Sequence, residues 1–468
     1  MHFSDFLESR RSACRALVCE LRKSYPYASV LGTDQKARSV RVNKNTAAIA
    51  PGMDTECGFV VKVSDGSVFF EYSLDDIGEN TAELAAKIAS AFRIHESLKG
   101  STVGHIALSD EPLVESFSRP ADFDDYTEQQ LLDFCKEQCA ALLGKSENLL
   151  NAFVSVDTFE VSKLFISENR QLDQHYTWVN GMLGAVYRHN DKVVQVMEIS
   201  DFNTIGAVLT DLPSKIDPLM ERAHKLTLAK PIVPGVYDVI TNPSLSGLIA
   251  HEAFGHGVEM DQFVKDRALA KEYVGKYVAS PIVGMRDGAA SAVSVGSYFF
   301  DDDGVLAGDT QIIKDGILVT GISDLASATI LGTAPTGNGR RESTRRKAYA
   351  RMSNTFFEAG ESSLEEMIAS IDHGYMLCEP DNGMEDPKNW GIQCTAQYGI
   401  EIVDGKLTDN YVSPVVMSGY VPDLLKSITM VSREFKLTGA GFCGKGYKEW
   451  ARVSDGGPAL KVKGVKLG

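Results

Sequence analysis

A proline- and glycine-containing segment at residues 226–235 interrupts the regular hydrophobic patterns of the chain. Pro231, Pro234 and Gly235 lie close together there, and neither a helix interior nor a central strand tolerates such a run. The chain has 468 residues, which is long enough for two separate hydrophobic cores. The segment therefore predicts two domains, residues 1–229 and residues 230–468.

The two predicted domains differ in their patterns. In the first, apolar residues recur at helical spacing in residues 4–25 and 127–143, and two strand-like runs flank a Ser-Asp-Gly turn within residues 58–72. In the second, strand-like runs and glycine-rich turns dominate, at residues 296–300, 310–320, 394–403 and 410–417. The predicted fold class is α+β, with an N-terminal α+β domain followed by a β-rich C-terminal domain that carries one notable helix.

Charge and cysteine content exclude several classes of protein. A net charge of -16 disfavours binding to nucleic acid or to an anionic membrane. No window approaches 18 consecutive apolar residues, and residues 1–8 lack the pattern of a secretory signal. Eight cysteines are too sparse for a disulfide scaffold, and we interpret Cys135 and Cys139 as structural thiols. We expect a cytoplasmic protein with reduced thiols.

The notable helix follows a predicted strand at residues 236–241. Asn242 and Pro243 form a typical helix opening, an N-cap followed by a first-turn proline. The helix then carries His251, Glu252 and His256. This pattern is similar to the H-E-x-x-H zinc motif of metallopeptidases, except that the second histidine comes one position late.

The spacing of the two histidines leaves two interpretations open. On a regular helix, residues five apart point about 140° away from each other, because each residue turns the helix by about 100°. His251 and His256 bind one metal only if the helix loosens by a residue, as in a π-bulge, or ends near Gly255. Otherwise one histidine packs in the core and the other lies near the helix end.

Residues 251–261 resemble the H-E-x-x-G-H-x-x-E-x-D signature of the TldD/PmbA family, specifically of its zinc-bearing TldD-like members. Further segments at residues 296–304, 336–341, 351–354 and 443–446 resemble other blocks of that family. The resemblance implies that His251, His256 and Cys443 bind zinc and that Glu252 is the general base of a peptidase. Two imidazoles and a thiolate with one open position suit a catalytic zinc.

Other candidates near these motifs have less specific interpretations. For Glu259 and Asp261 we prefer a role in orienting ligands or substrate over zinc binding. His373 is the remaining candidate for a metal ligand, and we favour its interpretation as a turn histidine. Residues 340–351 contain six basic side chains and are either a solvated face or a clamp for a peptide carboxylate or a subunit contact. The acidic run at residues 301–303 predicts a hairpin turn.

Two glycine-rich patterns at residues 439–446 approach nucleotide-binding motifs. Either motif needs a helix directly after it, and too few residues remain for a βαβ unit. We therefore reject both nucleotide interpretations.

The resemblance implies a zinc-dependent peptidase that acts on short or unfolded peptides. It also implies a homodimer, or a heterodimer with a PmbA/TldE-like subunit that lacks the metal ligands. The alternative is a non-enzymatic binding or regulatory protein, of the gyrase-modulator or antitoxin-regulating type. The retained His251, Glu252, His256 and Cys443 disfavour this alternative.

Overall fold

A computed structural model describes residues 2–52, 54–95, 106–108, 111–447 and 449–468 of the chain. Its helices are α1 Asp5–Arg22, α2 Thr81–His95, α3 Glu128–Leu143, α4 Ile205–Asp211, α5 Ile216–Leu228, α6 Pro243–Leu248, α7 Met260–Val264, α8 Leu325–Leu331, α9 Leu364–Ala369 and α10 Val421–Lys426. Within these ranges, no helix is both long enough and apolar enough to cross a bilayer.

The first sheet has eight strands, all of them from the N-terminal half. They are β1 Tyr27–Asn43, β2 Ala47–Pro51, β3 Glu56–Ser64, β4 Phe69–Leu74, β5 Leu113–Ser118, β6 Leu149–Ser167, β7 Arg170–His189 and β8 Lys192–Phe202. Their order is β4-β3-β1-β6-β7-β5, with β2 on β1 and β8 on β7. Buried side chains of α1 and α2 share one core with β1 and β3. Those of α3, α4 and α5 share another core with β6 and β7.

The C-terminal half supplies the remaining strands. They are β9 Gly235–Thr241, β10 Met285–Asp287, β11 Thr310–Lys314, β12 Ile317–Leu318, β13 Gly339–Arg340, β14 Tyr349–Ala350, β15 Asn354–Phe357, β16 His373–Asp386, β17 Gly391–Val403, β18 Lys406–Val412, β19 Val415–Tyr420, β20 Ile428–Lys445 and β21 Glu449–Leu467. Eleven of them form one sheet, and β13 pairs only with β14. Because β9 pairs with both β16 and β21, strands β21, β19, β17, β16 and β9 form a closed ring.

The α+β class and the β-rich C-terminal half are confirmed, as are the helices expected at 4–25 and 127–143 and the hairpin at 58–72. The strand predicted at residues 296–300 is wrong. Only Phe300 pairs, in an isolated bridge with Leu306, because the Ser297 N–H closes a turn on Ser294 instead. The run at residues 410–417 is also interrupted, since Pro414 has no N–H for a sheet and separates β18 from β19. Residue 230 remains our proposed domain boundary.

The acidic run at residues 301–303 forms the predicted turn, and it also joins the two halves of the molecule. Asp303 pairs with Lys62 of β3, and Asp302 pairs with Lys163 of β6. Both aspartates are almost completely buried. Buried charges require partners, so this turn holds the first sheet in a defined position against the C-terminal half.

The basic residues at 340–351 do not form one solvated face. Arg351 is fully buried, and the Arg341 guanidinium is buried against Glu71 of β4 at 3.1 Å. Arg345 remains exposed and pairs with Asp75. The interpretation as a solvated face is therefore wrong for Arg341 and Arg351, because each buried guanidinium has acceptors that the linear sequence does not reveal.

Candidate metal centre

The helix that carries the two histidines begins as its sequence predicts. The Asn242 side chain accepts a hydrogen bond from the Leu245 N–H at 2.9 Å, and Pro243 occupies the first turn of α6. This capping satisfies an N–H group that the helix itself leaves without a partner. Strand β9 ends at Thr241, one residue before the N-cap Asn242, so the ring of strands fixes where the helix starts.

Beyond α6 the helix widens into a π-helix over Ile249–Gly255. The N–H of His256 donates to the carbonyl of His251, a bond between residues five apart in place of the usual four. The two imidazole rings consequently lie on the same side, with ring centroids 5.1 Å apart and planes nearly perpendicular. Of the two interpretations of this spacing, the structure supports the loosened helix.

Gly255 permits this widened turn to pack closely against the chain. A Cβ atom at this position would lie 2.2 Å from the Met352 Sδ and 3.0 Å from the Ala250 carbonyl oxygen. The contact with Met352 is closer than atoms tolerate and the contact with Ala250 is tight, so a side chain here requires a shift of its neighbours. The need for a glycine here arises from packing.

Cys443 approaches the two histidines from strand β20. Its Sγ lies 3.5 Å from the His256 Nε2, and one donor atom from each of Cys443, His251 and His256 lies within 4.8 Å of the others. His251 and Cys443 are each only 4% exposed, which keeps bulk water from competing for these donor atoms. Among the described residues this is the one such group of histidine, cysteine and acidic side chains.

The electrostatics of the group favour the thiolate of Cys443. Burial raises the pKa of the thiol, but the imidazoles of His256 and His251 outweigh burial and hold this pKa well below its ordinary value. Conversely, burial lowers the pKa of His256, while the thiolate and Glu259 raise it well above its ordinary value. Thiolate is the form of cysteine that binds metals, so the site is electrostatically prepared for a cation.

Glu259 and Asp261 contact the outer side of this group. The Glu259 carboxylate lies 3.2 Å from the His256 Nδ1 and 3.0 Å from the Lys445 Nζ. Lys445 also donates to Asp261 at 2.6 Å. Because the Nδ1 of His256 is held in this way, its Nε2 is left to face Cys443. This arrangement agrees with the preferred orienting role, and sequence reasoning missed Lys445 as the residue that links the two acids.

Glu252 follows His251 and is partly buried. Its side chain packs against β16, where a Cβ on Gly383 would lie 2.7 Å from the Glu252 Cγ. The carboxylate has no hydrogen bond or ion pair within the described part of the chain. Its oxygens are therefore available to a water molecule or a substrate beside the three donors.

Arg351 fixes the position of the strand that carries the cysteine. Its guanidinium donates to the backbone carbonyls of Cys443 and Glu449, on the two strands β20 and β21. A fully buried arginine with carbonyl partners on both strands restrains the hairpin near Cys443. Sequence reasoning grouped Arg351 with the basic stretch and missed this contact.

Two further acids lie near the site. Burial raises the pKa of the Glu385 carboxyl well above its ordinary value and that of Asp455 to about 6. Glu385 lies against Gly257, and Asp455 lies against Gly247 of α6. The sequence contains no motif around either acid that points to the site, since strands β16 and β21 bring them there.

The remaining predicted candidates lie elsewhere. His373 is the first residue of β16, where its Nε2 lies 3.1 Å from Glu401, so the interpretation as a turn histidine is wrong. Cys135 and Cys139 are buried in the core of the N-terminal half, as expected of structural thiols. Residues 439–445 lie within β20 and are followed by its antiparallel partner β21, so neither nucleotide motif has its helix.

Comparison with known proteins identifies the class. Residues 234–468 match the model of the PmbA/TldA metallopeptidase C-terminal domain, a range that contains all three donors and Glu252. Two relatives of the chain carry the name metalloprotease. A metalloprotease of Methanothermobacter thermautotrophicus is 28% identical, with 88% of each chain covered. A metalloprotease of Synechocystis is 30% identical over 76% of this chain and 78% of its own. The chain is a metallopeptidase.

The family follows from the same findings. A zinc metalloprotease TldD homolog of Saccharolobus solfataricus is 30% identical over 65% of this chain and 68% of its own length. TldE of Thermococcus kodakarensis shares the fold, with a TM-score of 0.76, 18% identity and coverage of 97% and 99% of the two chains. The chain belongs to the TldD/PmbA family.

Proposed function

We propose that this metallopeptidase is zinc-dependent and hydrolyses peptide bonds in short or unfolded peptides. His251, His256 and Cys443 hold the zinc, and Glu252 is the general base. The observation that carries the proposal is the π-helix, because it turns His251 and His256 to one side of the helix beside Cys443. The zinc metalloprotease among the relatives supports this choice of metal.

The donor set fits zinc on chemical grounds. Two imidazoles and one thiolate are ligands that zinc prefers, and three protein ligands leave the open position that catalysis needs. The buried Nδ1 of His251 has no hydrogen-bond partner among the described residues, which is unusual for a buried polar atom. Zinc bound at this site would polarise the scissile carbonyl and make a neighbouring water more acidic.

The residues of the chain supply the remaining steps. Glu252 accepts a proton from the attacking water and then delivers it to the leaving amine, since its carboxylate has no competing partner among the described residues. Glu259 holds the His256 imidazole in one orientation and is itself held by Lys445. Because the donors lie below the surface, an extended peptide reaches them more easily than the surface of a folded protein does.

The assembly and compartment belong to the same proposal. The fold shared with TldE supports a dimer, either of two copies of this chain or with a PmbA/TldE-like subunit. All eight cysteines are free, which supports a reducing compartment such as the cytoplasm. The metallopeptidase domain favours an enzyme over the non-enzymatic binding or regulatory protein.

Metal analysis tests the proposed site. The purified chain should contain about one zinc per chain, and Cys443→Ala should lose most of it, because two imidazoles alone bind zinc weakly. Cys378→Ala is the matched control, since that thiol is also buried but lies outside the donor group. Equal zinc content in Cys443→Ala and wild type would contradict the proposed ligand set.

A further inference from the structure

A cavity of about 710 Å³ lies between the two halves of the molecule, separate from the metal centre. Its walls come from strands β1, β6 and β7 of the first sheet and from segments of the C-terminal half that include the β20–β21 hairpin. The volume lies within the range of small-molecule sites, roughly 300–1,000 Å³. Phe442 lines this cavity, whereas the next residue, Cys443, belongs to the donor group.

Aromatic side chains supply the apolar part of the wall. Trp178 and Tyr176 come from β7, Phe159 from β6, and Phe442 and Trp450 from the β20–β21 hairpin. The Trp178 indole N–H is buried and has no acceptor among the described residues. Phe442 and Trp450 remain 43% and 47% exposed, so this part of the aromatic wall is open to a ligand. The wall therefore suits apolar groups of a ligand.

Most charged groups of the wall already have partners. The pairs are Lys163 with Asp302, Arg341 with Glu71, and Arg452 with Asp54. Asp301 accepts backbone N–H groups on both oxygens, and Glu342 accepts the Trp450 N–H and lies 3.8 Å from Arg346. The ion-paired groups are neutralised within the protein, and both oxygens of Asp301 are occupied by backbone N–H groups, so these groups do not define a ligand.

Arg340 and Glu56 differ from these groups. The Arg340 guanidinium donates one bond to the Met352 carbonyl and lies 5.2 Å from the centre of the Tyr298 ring, but it forms no ion pair within the described chain. Glu56 accepts the Thr344 N–H on one oxygen and likewise forms no ion pair there. Arg340 and Glu56 thus supply the cavity with a cation and a carboxylate that form no ion pair within the described chain and can take a further partner.

We propose that this cavity binds a short peptide with free ends and apolar side chains. Its carboxylate pairs with Arg340, its ammonium group pairs with Glu56, and its side chains pack against the aromatic wall. Burial raises the pKa of Glu56 although Lys163 and Arg341 lower it, so a further cation beside this carboxyl would favour its charged form. This second site does not depend on the zinc chemistry, because none of its residues belongs to the donor group.

Calorimetric titration tests the site in the full chain carrying Glu252→Gln, which prevents hydrolysis from contributing heat. The probes are the dipeptide phenylalanyl-leucine, its N-acetyl form and its C-terminal amide. We expect the free dipeptide to bind at least about ten-fold more tightly than either blocked form, since each blocked end loses one charge-assisted hydrogen bond.

Two further variants assign each end of the peptide. With Arg340→Gln the amide should bind as well as the free dipeptide, and with Glu56→Gln the N-acetyl form should do so, because each variant removes one charged partner. Glutamine at position 56 can still accept the hydrogen bond from the Thr344 N–H. If one variant fails to fold, the other variant still tests its own end of the peptide in this cavity. Absence of binding at millimolar peptide, or binding that neither blocked end weakens, would overturn the proposal. Binding that both variants leave unchanged would place the peptide elsewhere and also overturn it.

Discussion

Among the acids beside the donor group, Glu252 is the one that we propose as the general base. It is partly buried, forms no hydrogen bond or ion pair with the described residues, and directly follows a proposed ligand. The other acid of the motif, Glu259, is committed to His256 and Lys445. Two glutamates seven positions apart in the sequence therefore have different proposed roles because their neighbours differ.

Replacing the proposed base should separate catalysis from metal binding. Glu252→Gln should lower peptide hydrolysis about 10²–10⁴-fold and leave the zinc content unchanged, because the amide accepts no proton and the residue is not a ligand. Steady-state rates and metal analysis of the same preparation measure both. Glu365→Gln, an exposed residue of α9, is the control. Full activity in Glu252→Gln with zinc bound would exclude the mechanism.

The contact between Glu259 and His256 should tune zinc affinity. Glu259→Gln removes the charge that holds the imidazole, so zinc affinity should fall about 10–100-fold, as measured by competition with a chelator. Lys265→Gln is the matched control, because Lys265 pairs with Asp261 from a more exposed position, at 3.0 Å. Unchanged affinity in Glu259→Gln would show that the contact does not orient the ligand.

At the scale of the element, the π-helix determines whether the motif forms a site. A regular helix would point the second histidine away from the first, whereas the π-helix brings their ring centroids to 5.1 Å. Gly255 lets this widened turn contact Met352. The packing of β15 and its preceding residues against the turn therefore supports the unusual helix.

A side chain at position 255 should disturb both packing and metal binding. Gly255→Ala places a Cβ against Met352, and we expect a loss of about 1–3 kcal/mol in the free energy of unfolding, together with weaker zinc binding. Gly391→Ala is the control, since a Cβ there contacts nothing within 4 Å. Denaturant unfolding measures the stability. Equal effects of the two substitutions would argue against the packing role of Gly255.

At the scale of the whole molecule, buried ion pairs connect the two halves. Lys62 of β3 lies between Asp303 and Glu71, and Arg341 reaches the same glutamate from the C-terminal half. Burial alone would raise the pKa of Glu71, but Lys62 and Arg341 outweigh it and lower this pKa from 4.5 to about 2. The charged form of Glu71 is therefore the one that stabilises the folded chain.

The sign of this shift predicts a pH dependence. Stabilisation by Glu71 is fully present above pH 4.5 and is lost as the pH falls from 4.5 toward 2. At neutral pH, Glu71→Gln should therefore lower the free energy of unfolding by roughly 1.5–3 kcal/mol, and with it the melting temperature. The difference from wild type should shrink as the pH falls through this window. Glu137→Gln, an exposed residue of α3, should show no such difference. A difference that is constant across the window would refute the assignment.

The sequence by itself was sufficient to predict those structural features that depend on residues close together in the chain. The Asn242-Pro243 helix opening, the hairpin of β3 and β4 and the mixed α+β pattern depend on neighbouring residues, so short-range hydrogen bonds and hydrophobic spacing were sufficient to predict them. The resemblance of the motif around His251, Glu252 and His256 to the TldD/PmbA signature implied a metallopeptidase. Its spacing alone left open whether the histidines meet.

The tertiary structure decided which of these residues share a site. Cys443 lies 187 residues from His256, and only the ring of strands places β20 beside the π-helix. The buried partners of Arg341 and Arg351, and the cavity between the two halves, likewise depend on distant segments. Local patterns carry no information about such contacts, because their geometry is fixed only when the distant segments pack together and pay the entropy of closing long loops.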